Sequence, residues 1–284
     1  MTIRQPSTAN LMLDSADRTA GSASAFSIIR NQSLVNGFFT RIATAEVVLE
    51  WNEPNVSDNS YYGLNLFAQY DDGAGGNQEQ INIPNGNYTI AELINNLASQ
   101  LNSYKGTFDV SWNVVPAPGG GANFFPVATA APVNGNLSGP LILLLFGQGT
   151  LTYATGTFFG ATISGIDLRP LRYIDFVCTQ LTYNQDLKDT ATNTINRDVL
   201  CRWYFADDGP TALDEYGYPI LQGYKPFVQR RLFNPPKQIR WDNIQPLGNL
   251  EFALYNPAGQ NLNLPALPTE SATNWLMTLQ ISEV

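Results

Sequence analysis

The stretch WLMTLQIS, residues 275–282, alternates strongly and weakly apolar side chains over eight positions. The odd-numbered positions carry Trp, Met, Leu and Ile, and the even-numbered positions carry Leu, Thr, Gln and Ser. Successive side chains of an extended strand point to opposite faces. The pattern therefore predicts a strand with one face buried and the other facing solvent.

Strand patterns of this kind recur along the chain, at 39–51, 61–70, 108–115, 141–146, 151–159, 172–183, 199–206, 238–241 and 250–255. One segment instead has a helical period, with apolar residues at Ile90, Leu93, Ile94, Leu97 and Leu101. Thr89 precedes it, three residues before Glu92, as a capping box requires. Many strands and one helix on the flank of a sheet predict an all-β sandwich or barrel, because parallel α/β folds place a helix between successive strands.

The domain organisation is predicted from breaks in these patterns. Residues 1–25 are polar and are expected to form an N-terminal arm, followed by one domain over 26–284. The segment 207–236 is rich in Gly and Pro and is expected to be a long loop. The region 116–165 is expected to contain a long loop or a small insertion, with a separate subdomain as the alternative.

Charge is scarce in this chain. Asp, Glu, Lys and Arg make up 14% of the residues, against roughly 25% in an average soluble domain. Such a surface suits large contacts with other chains. The net charge is −9, which argues against nucleic-acid wrapping as the main role. One basic stretch stands out, Lys225, Arg230, Arg231, Lys237 and Arg240. It is interpreted either as a contact to a partner or nucleic acid, or as a solvated or salt-bridged strand edge.

Catalytic chemistry finds little support. The chain has no His, which excludes Ser-His-Asp and Cys-His nucleophiles and the zinc sites that use imidazole. The sequence therefore predicts no catalytic residue, no cofactor and no metal site. The acidic pairs Asp71-Asp72, Asp207-Asp208 and Asp214-Glu215 are interpreted as turns, with a calcium site as the alternative.

Cysteine usage and hydropathy bound the compartment. Cys178 and Cys201 lie in apolar strand patterns and are predicted to be buried free thiols. The longest purely apolar run, 141–146, is too short to span a bilayer. The N-terminus has no signal pattern, so synthesis without a signal peptide is expected.

The loop that holds Tyr216, Tyr218, Tyr224 and Phe227 contains several aromatic residues in a Gly- and Pro-rich context. Exposed aromatic side chains there would form either an interface anchor or a surface for stacking sugars. Together with Arg230 and Arg231 they are the candidate interface residues.

Three segments carry a family resemblance. LMLDSADR, residues 11–18, is similar to the D-S-x-D-R segment near the start of penton or minor capsid proteins of virophages and related large double-stranded DNA viruses. INIPNGNYTIAEL, residues 81–93, resembles the I-P-x-G-x-Y strand that leads into a helix in that family. Residues 275–283 look like its closing strand. The resemblance implies a single jelly roll that forms homopentamers at icosahedral fivefold vertices of a virion capsid and contacts the major capsid protein.

The sequence is thus expected to encode a viral structural protein, a penton-type capsid subunit made in the host cell, and not an enzyme. Two alternatives remain open. One is another viral jelly-roll coat or spike-base protein. The other is a carbohydrate-binding β-sandwich that uses the segment 216–227, with calcium held by Asp207, Asp208 or Asp214.

Overall fold

The computed structural model describes residues 8–18, 20–29, 39–72, 77–118, 120–128, 134–154, 156–161, 166–182, 199–205, 212–240, 248–265 and 273–283. The chain divides into two compact units. The sandwich unit comprises Met1–Glu53, Leu171–Phe205 and Pro226–Val284, and the inserted unit comprises Pro54–Pro170 and Ala206–Lys225.

The strands are, in chain order, β1 (Thr8–Asp14), β2 (Ala20–Ser22), β3 (Ala25–Ile29), β4 (Arg41–Trp51), β5 (Phe67–Asp71), β6 (Gln78–Asn82), β7 (Val110–Pro116), β8 (Ala122–Ala128), β9 (Asn134–Ser138), β10 (Thr150–Ala154), β11 (Phe159–Ala161), β12 (Tyr173–Val177), β13 (Val199–Tyr204), β14 (Ala212–Leu213), β15 (Pro219–Ile220), β16 (Phe227–Leu232), β17 (Gln238–Arg240), β18 (Asn249–Tyr255) and β19 (Asn274–Ser282). The α-helices are α1 (Ile90–Ser103), α2 (Lys105–Phe108), α3 (Pro140–Phe146) and α4 (Thr179–Thr182), and a 3₁₀ turn covers Ser15–Asp17.

The sandwich unit is a jelly roll. One sheet has the order β1-β19-β4-β16, with β17 also paired to β4, and the other has the order β13-β12-β18-β3-β2. Without the short strands β2 and β17, the eight remaining strands are numbered 1 to 8 along the chain. The order is then 1-8-3-6 in the first sheet and 5-4-7-2 in the second. Two interleaved Greek keys produce this arrangement, and all the pairings are antiparallel. The predicted fold class, an all-β jelly roll, is confirmed.

Aromatic side chains from both sheets meet in the core of this unit. The Trp275 ring on β19 lies 5.4 Å from the Phe26 and Phe252 rings and 5.2 Å from the Phe176 ring, between centroids. Its indole N–H donates to the Ala23 carbonyl at 3.0 Å. The odd-numbered side chains of residues 275–281 are all buried, as their alternation predicts. Each contributes about 1.5–3 kcal/mol by leaving water.

The inserted unit contains a four-stranded sheet, β10-β9-β5-β6, a three-stranded sheet, β11-β8-β7, and the short hairpin β14-β15. Helix α1 supplies a row of buried side chains, including Leu93, Leu97 and Leu101. The predicted capping box is present: the Glu92 N–H donates to Thr89 Oγ1 at 3.2 Å, and the Thr89 N–H donates to Glu92 Oε2 at 2.7 Å. The predicted helix is therefore confirmed.

Some strand predictions were wrong. Residues 61–66 of the predicted strand 61–70 lie before β5, and residues 179–182 of the predicted strand 172–183 form helix α4. The apolar run 141–146 is not a strand but most of helix α3. Pro140 occupies its first turn, where a missing N–H costs nothing, and Gly147 ends it with a φ of +70°, in the left-handed region. A short run that is apolar at every position has no period, so it cannot distinguish a buried strand from a buried helix.

The division of the chain differs from the sequence expectation. Residues 8–14 form β1, a strand of the sandwich, where the sequence predicted an arm over residues 1–25. The insertion expected within 116–165 lies inside a larger unit, which begins at Pro54 and includes residues 207–225 of the predicted long loop. Both units are rich in strands, so no change of strand pattern marks the boundary. Among the helices of the described residues, none has both the length and the apolar character that crossing a membrane requires.

Candidate assembly surfaces

Two of the candidate interface residues, Tyr218 and Tyr224, are core residues of the inserted unit. Both side chains are fully buried. The Ala122 N–H donates to the Tyr218 hydroxyl oxygen at 3.1 Å, and the Leu168 N–H donates to that of Tyr224 at 2.8 Å. Burial raises the pKa of Tyr224 to about 12 and also raises the pKa of Tyr218. The expectation that these two rings form an exposed anchor is corrected: their rings fill the interior of the unit and their hydroxyl groups satisfy backbone donors.

Asp214 organises the segment around Tyr216. Its Oδ1 accepts hydrogen bonds from the N–H groups of Tyr216 at 3.0 Å and Tyr218 at 2.8 Å, and its Oδ2 accepts from the Ala91 N–H at 3.0 Å. Ala91 lies in the first turn of α1, where unpaired N–H groups and the helix dipole favour a carboxylate. The half-buried Tyr216 donates its hydroxyl proton to Asn95 Oδ1 at 2.9 Å. Asp214 thus has a structural role, and Asp207 and Asp208 lie outside the described residues.

The other candidates lie on β16, where side chains alternate between the two faces of the sheet. Phe227 points inward and its ring makes an edge contact with Phe205, 5.9 Å between centroids. Arg231 shares this face, and its guanidinium carbon lies 4.8 Å from the centre of the Trp203 ring. Arg230 points outward, with a side chain 63% exposed. It binds Glu46 through two hydrogen bonds, one from Nη2 to Oε2 at 3.0 Å and one from Nε to Oε1.

The outer face of the sheet β1-β19-β4-β16 exposes apolar side chains around this ion pair. Met12 is 79% exposed, Val228 68%, Leu232 63% and Leu276 48%. Large apolar residues scattered singly are normal on a protein surface, but here they occupy one face of one sheet. No signal within β1, β16 or β19 alone could have revealed this face, because it is formed by strands far apart in the sequence.

The strand register arranges this outer face in rows. The first row consists of Asp14, Leu276, Val48 and Arg230. The second row consists of Met12, Thr278, Glu46 and Leu232. Paired residues of an antiparallel sheet lie side by side on the same face. Strand β1 therefore presents Asp14 and Met12 at one edge of the face, and β16 presents Arg230 and Leu232, at the same levels, at the other edge.

The second sheet of the sandwich contains an ion pair in which the carboxylate is buried and the guanidinium is partly exposed. Asp175 on β12 is 1% exposed and accepts two hydrogen bonds from Arg202 on β13, at 2.6 and 3.0 Å. The Arg202 guanidinium also lies 3.9 Å from the centre of the Tyr173 ring. These bonds raise the pKa of Arg202. The pair ties two neighbouring strands together.

Both cysteines are buried and free, as the sequence predicted. Burial raises the pKa of each thiol to about 12. A thiol that stays protonated at neutral pH is a poor nucleophile and a poor metal ligand. These residues therefore act as small core residues.

Comparison with known proteins places this architecture. No family model matches the sequence, and no curated protein matches it. The crystal structure of the mavirus penton protein matches over 99% of this chain and 100% of that chain, with a TM-score of 0.53 and 9% sequence identity. This chain has the fold of a virophage penton protein. A chain in the cryo-electron microscopy structure of the Sputnik virophage matches over 98% of both chains, with a TM-score of 0.46 and 9% identity.

The penton fold thus extends over the whole chain, the inserted unit included. With 9% sequence identity, the match concerns the fold and not individual residues.

Proposed function

We propose that this chain is a penton-type capsid subunit, which assembles as a homopentamer at the fivefold vertices of an icosahedral virion and contacts the major capsid protein. The single observation that carries this proposal is the end-to-end match of its fold to the mavirus penton protein. A match that covered the jelly roll alone would fit many proteins of unrelated function, since jelly rolls also occur in lectins and other proteins.

The surface chemistry supports an assembling protein. Charged residues make up 14% of the chain, so fewer ions must lose water when two copies meet. The outer face of the sandwich exposes Met12, Val228, Leu232 and Leu276, which are the kind of side chains that gain from burial in an interface.

The proposed role is structural and not catalytic. Its support is the absence of His from the sequence, together with the use of Asp214 and Asp175 in backbone capping and in an internal ion pair. The burial of Tyr218 and Tyr224 counts against the alternative of a sugar-stacking surface at the segment 216–227.

The test is two-dimensional class averaging of the purified full chain, imaged by electron microscopy after incubation at micromolar concentration. The expected result is a ring of five. Rings of three would contradict the pentamer and favour another viral coat or spike-base protein. A chain that remains monomeric at every concentration tested would contradict the proposed function altogether.

A further inference from the structure

A ring of identical subunits requires two different surfaces on each copy, one for each neighbour. We infer that, within the proposed pentamer, the β16 edge of one copy packs against the β1 edge of the next, with Leu232 against Met12 and Arg230 against Asp14. This inference rests on the proposed function and names the surfaces that would close the ring.

The row geometry carries the inference. The first row has a carboxylate, Asp14, at one edge and a guanidinium, Arg230, at the other. The second row has an apolar side chain, Met12 or Leu232, at each edge. In a ring whose axis runs along the strands, the rows of neighbouring copies stay level. Each row then continues into the next copy with a complementary partner.

Strand direction also fits. The pairings β1-β19, β19-β4 and β4-β16 are all antiparallel, so β1 and β16 run in opposite directions. When the β16 edge of one copy meets the β1 edge of the next, the two strands are again antiparallel. The contact therefore extends the pattern that holds within each sheet.

The ion pair with Glu46 does not prevent Arg230 from taking part. A guanidinium has five N–H donors in a planar fork, so it can bind a second carboxylate while it keeps the first. Asp14 of the next copy would then share Arg230 with Glu46. Charge-assisted hydrogen bonds of this kind strengthen as a contact excludes water.

A second copy fits the β16 edge better than a polyanion does. The edge also carries Val228 and Leu232, which are 68% and 63% exposed. Apolar side chains make no favourable contact with a phosphate backbone, which is bound by charged and polar groups. The opposite edge of the same sheet carries Asp14, whose negative charge repels a polyanion, and Met12, which offers a polyanion no polar contact.

The charge distribution also places the contact on the sandwich units. The inserted unit contains 11 Asp and Glu against 3 Lys and Arg, whereas the sandwich unit contains 13 against 12. Two inserted units therefore repel each other, while two sandwich units are almost neutral and can approach closely.

The experiment measures assembly of the full chain by mass photometry and sedimentation velocity across a concentration series. Leu232→Glu and Met12→Lys are each expected to raise the concentration for half assembly at least tenfold, because each places a charge in an apolar contact. The double variant carries both charges at one contact and is expected to return to within about threefold of the wild type. Both positions are more than 60% exposed, and thermal melts verify that each variant is folded.

The matched control is Val127→Glu, a strand position in the inserted unit that is 41% exposed. It is expected to leave assembly unchanged. If the wild type forms rings of five and Leu232→Glu assembles equally well, the inferred contact is wrong while the proposed function stands. If the wild type stays monomeric but binds duplex DNA, and Arg240→Glu abolishes that binding, the basic stretch from Lys225 to Arg240 binds a polyanion. Both the inferred contact and the proposed pentamer are then wrong.

Discussion

Arg202 and Asp175 form a two-pronged ion pair between β13 and β12, with a carboxylate that is 1% exposed. Arg230 and Glu46 form the same two-pronged pair on the outer face, where the arginine is 63% exposed. The two pairs share their chemistry and differ in burial, so they provide a controlled comparison within one protein.

Removal of the arginine should therefore have different effects at the two sites. Arg202→Ala leaves a buried carboxylate without its cation and is expected to lower the free energy of unfolding by about 3 kcal/mol. Arg230→Ala is expected to leave the free energy of unfolding nearly unchanged, because water replaces the lost partner. Urea unfolding of the dilute chain measures both values. Equal losses in the two variants would contradict the assignment of the buried pair.

Tyr218→Ala tests the correction at the aromatic segment. A fully buried ring is removed and the Ala122 N–H loses its acceptor, so the expected loss of stability is about 3–5 kcal/mol. Glu215→Ala, at an exposed neighbouring position, should cost less than about 0.5 kcal/mol. A Tyr218→Ala variant that keeps its melting temperature but loses binding on a glycan array would instead revive the sugar-stacking interpretation.

Asp214→Ala removes the acceptor of three backbone N–H groups, at Ala91, Tyr216 and Tyr218. We expect a loss of about 2–3 kcal/mol, the sum of a helix cap and of bonds in the adjacent turn. Asp214→Asn keeps one side-chain oxygen and should lose less. If Asp214 bound calcium instead, a chelator would lower the melting temperature of the wild type and not that of the variant; we expect the chelator to affect neither.

Stability should fall at alkaline pH. Burial raises the pKa of Cys178, Cys201 and Tyr224 to about 12, above the values of 9.0 for a free thiol and 10.0 for a free phenol. These groups are neutral when protonated, so the folded state holds its protons more tightly than the unfolded state does. Their contribution is complete below pH 9 and is lost as the pH rises from 9 towards 12.

Melting temperatures between pH 7 and pH 11 measure this loss, and phenolate absorbance reports the ionisation of Tyr224 together with the other tyrosines. Tyr224→Phe should flatten the decline, although it leaves the Leu168 N–H without its acceptor and costs about 1–2 kcal/mol at neutral pH. A melting temperature that stays constant up to pH 11 would show that these groups titrate freely in the folded protein.

The two thiols should be unreactive in the folded chain. A pKa of about 12 leaves almost no thiolate at pH 8, and both side chains are buried. A disulfide-exchange reagent is expected to label neither cysteine within an hour in buffer and both in denaturant. Rapid reaction of one thiol per native chain would contradict the burial of that residue.

Local sequence predicted the elements whose signals lie within a few residues. The alternation over 275–282 identified a half-buried strand, and the capping box at Thr89 with the apolar period up to Leu101 identified α1. The absence of a period in 141–146 left helix and strand equivalent, and the caps at Pro140 and Gly147 decided between them in the structure. The inward position of Tyr218 and Tyr224, in contrast, depends on partners distant in the sequence, Ala122 and Leu168, and local patterns could not predict it.

The sequence by itself determined that this protein is a strand-rich, charge-poor chain without the residues of common nucleophilic catalysis, because composition and period are local properties. Only the tertiary structure decided that the jelly roll is interrupted by a second unit, that Tyr218 and Tyr224 face inward, and that Asp14 and Arg230 stand at opposite ends of one row. These facts depend on which strands pair and in what register. Pairing is set by contacts between residues as far apart as Met12, Thr278 and Leu232, which no stretch of sequence contains together.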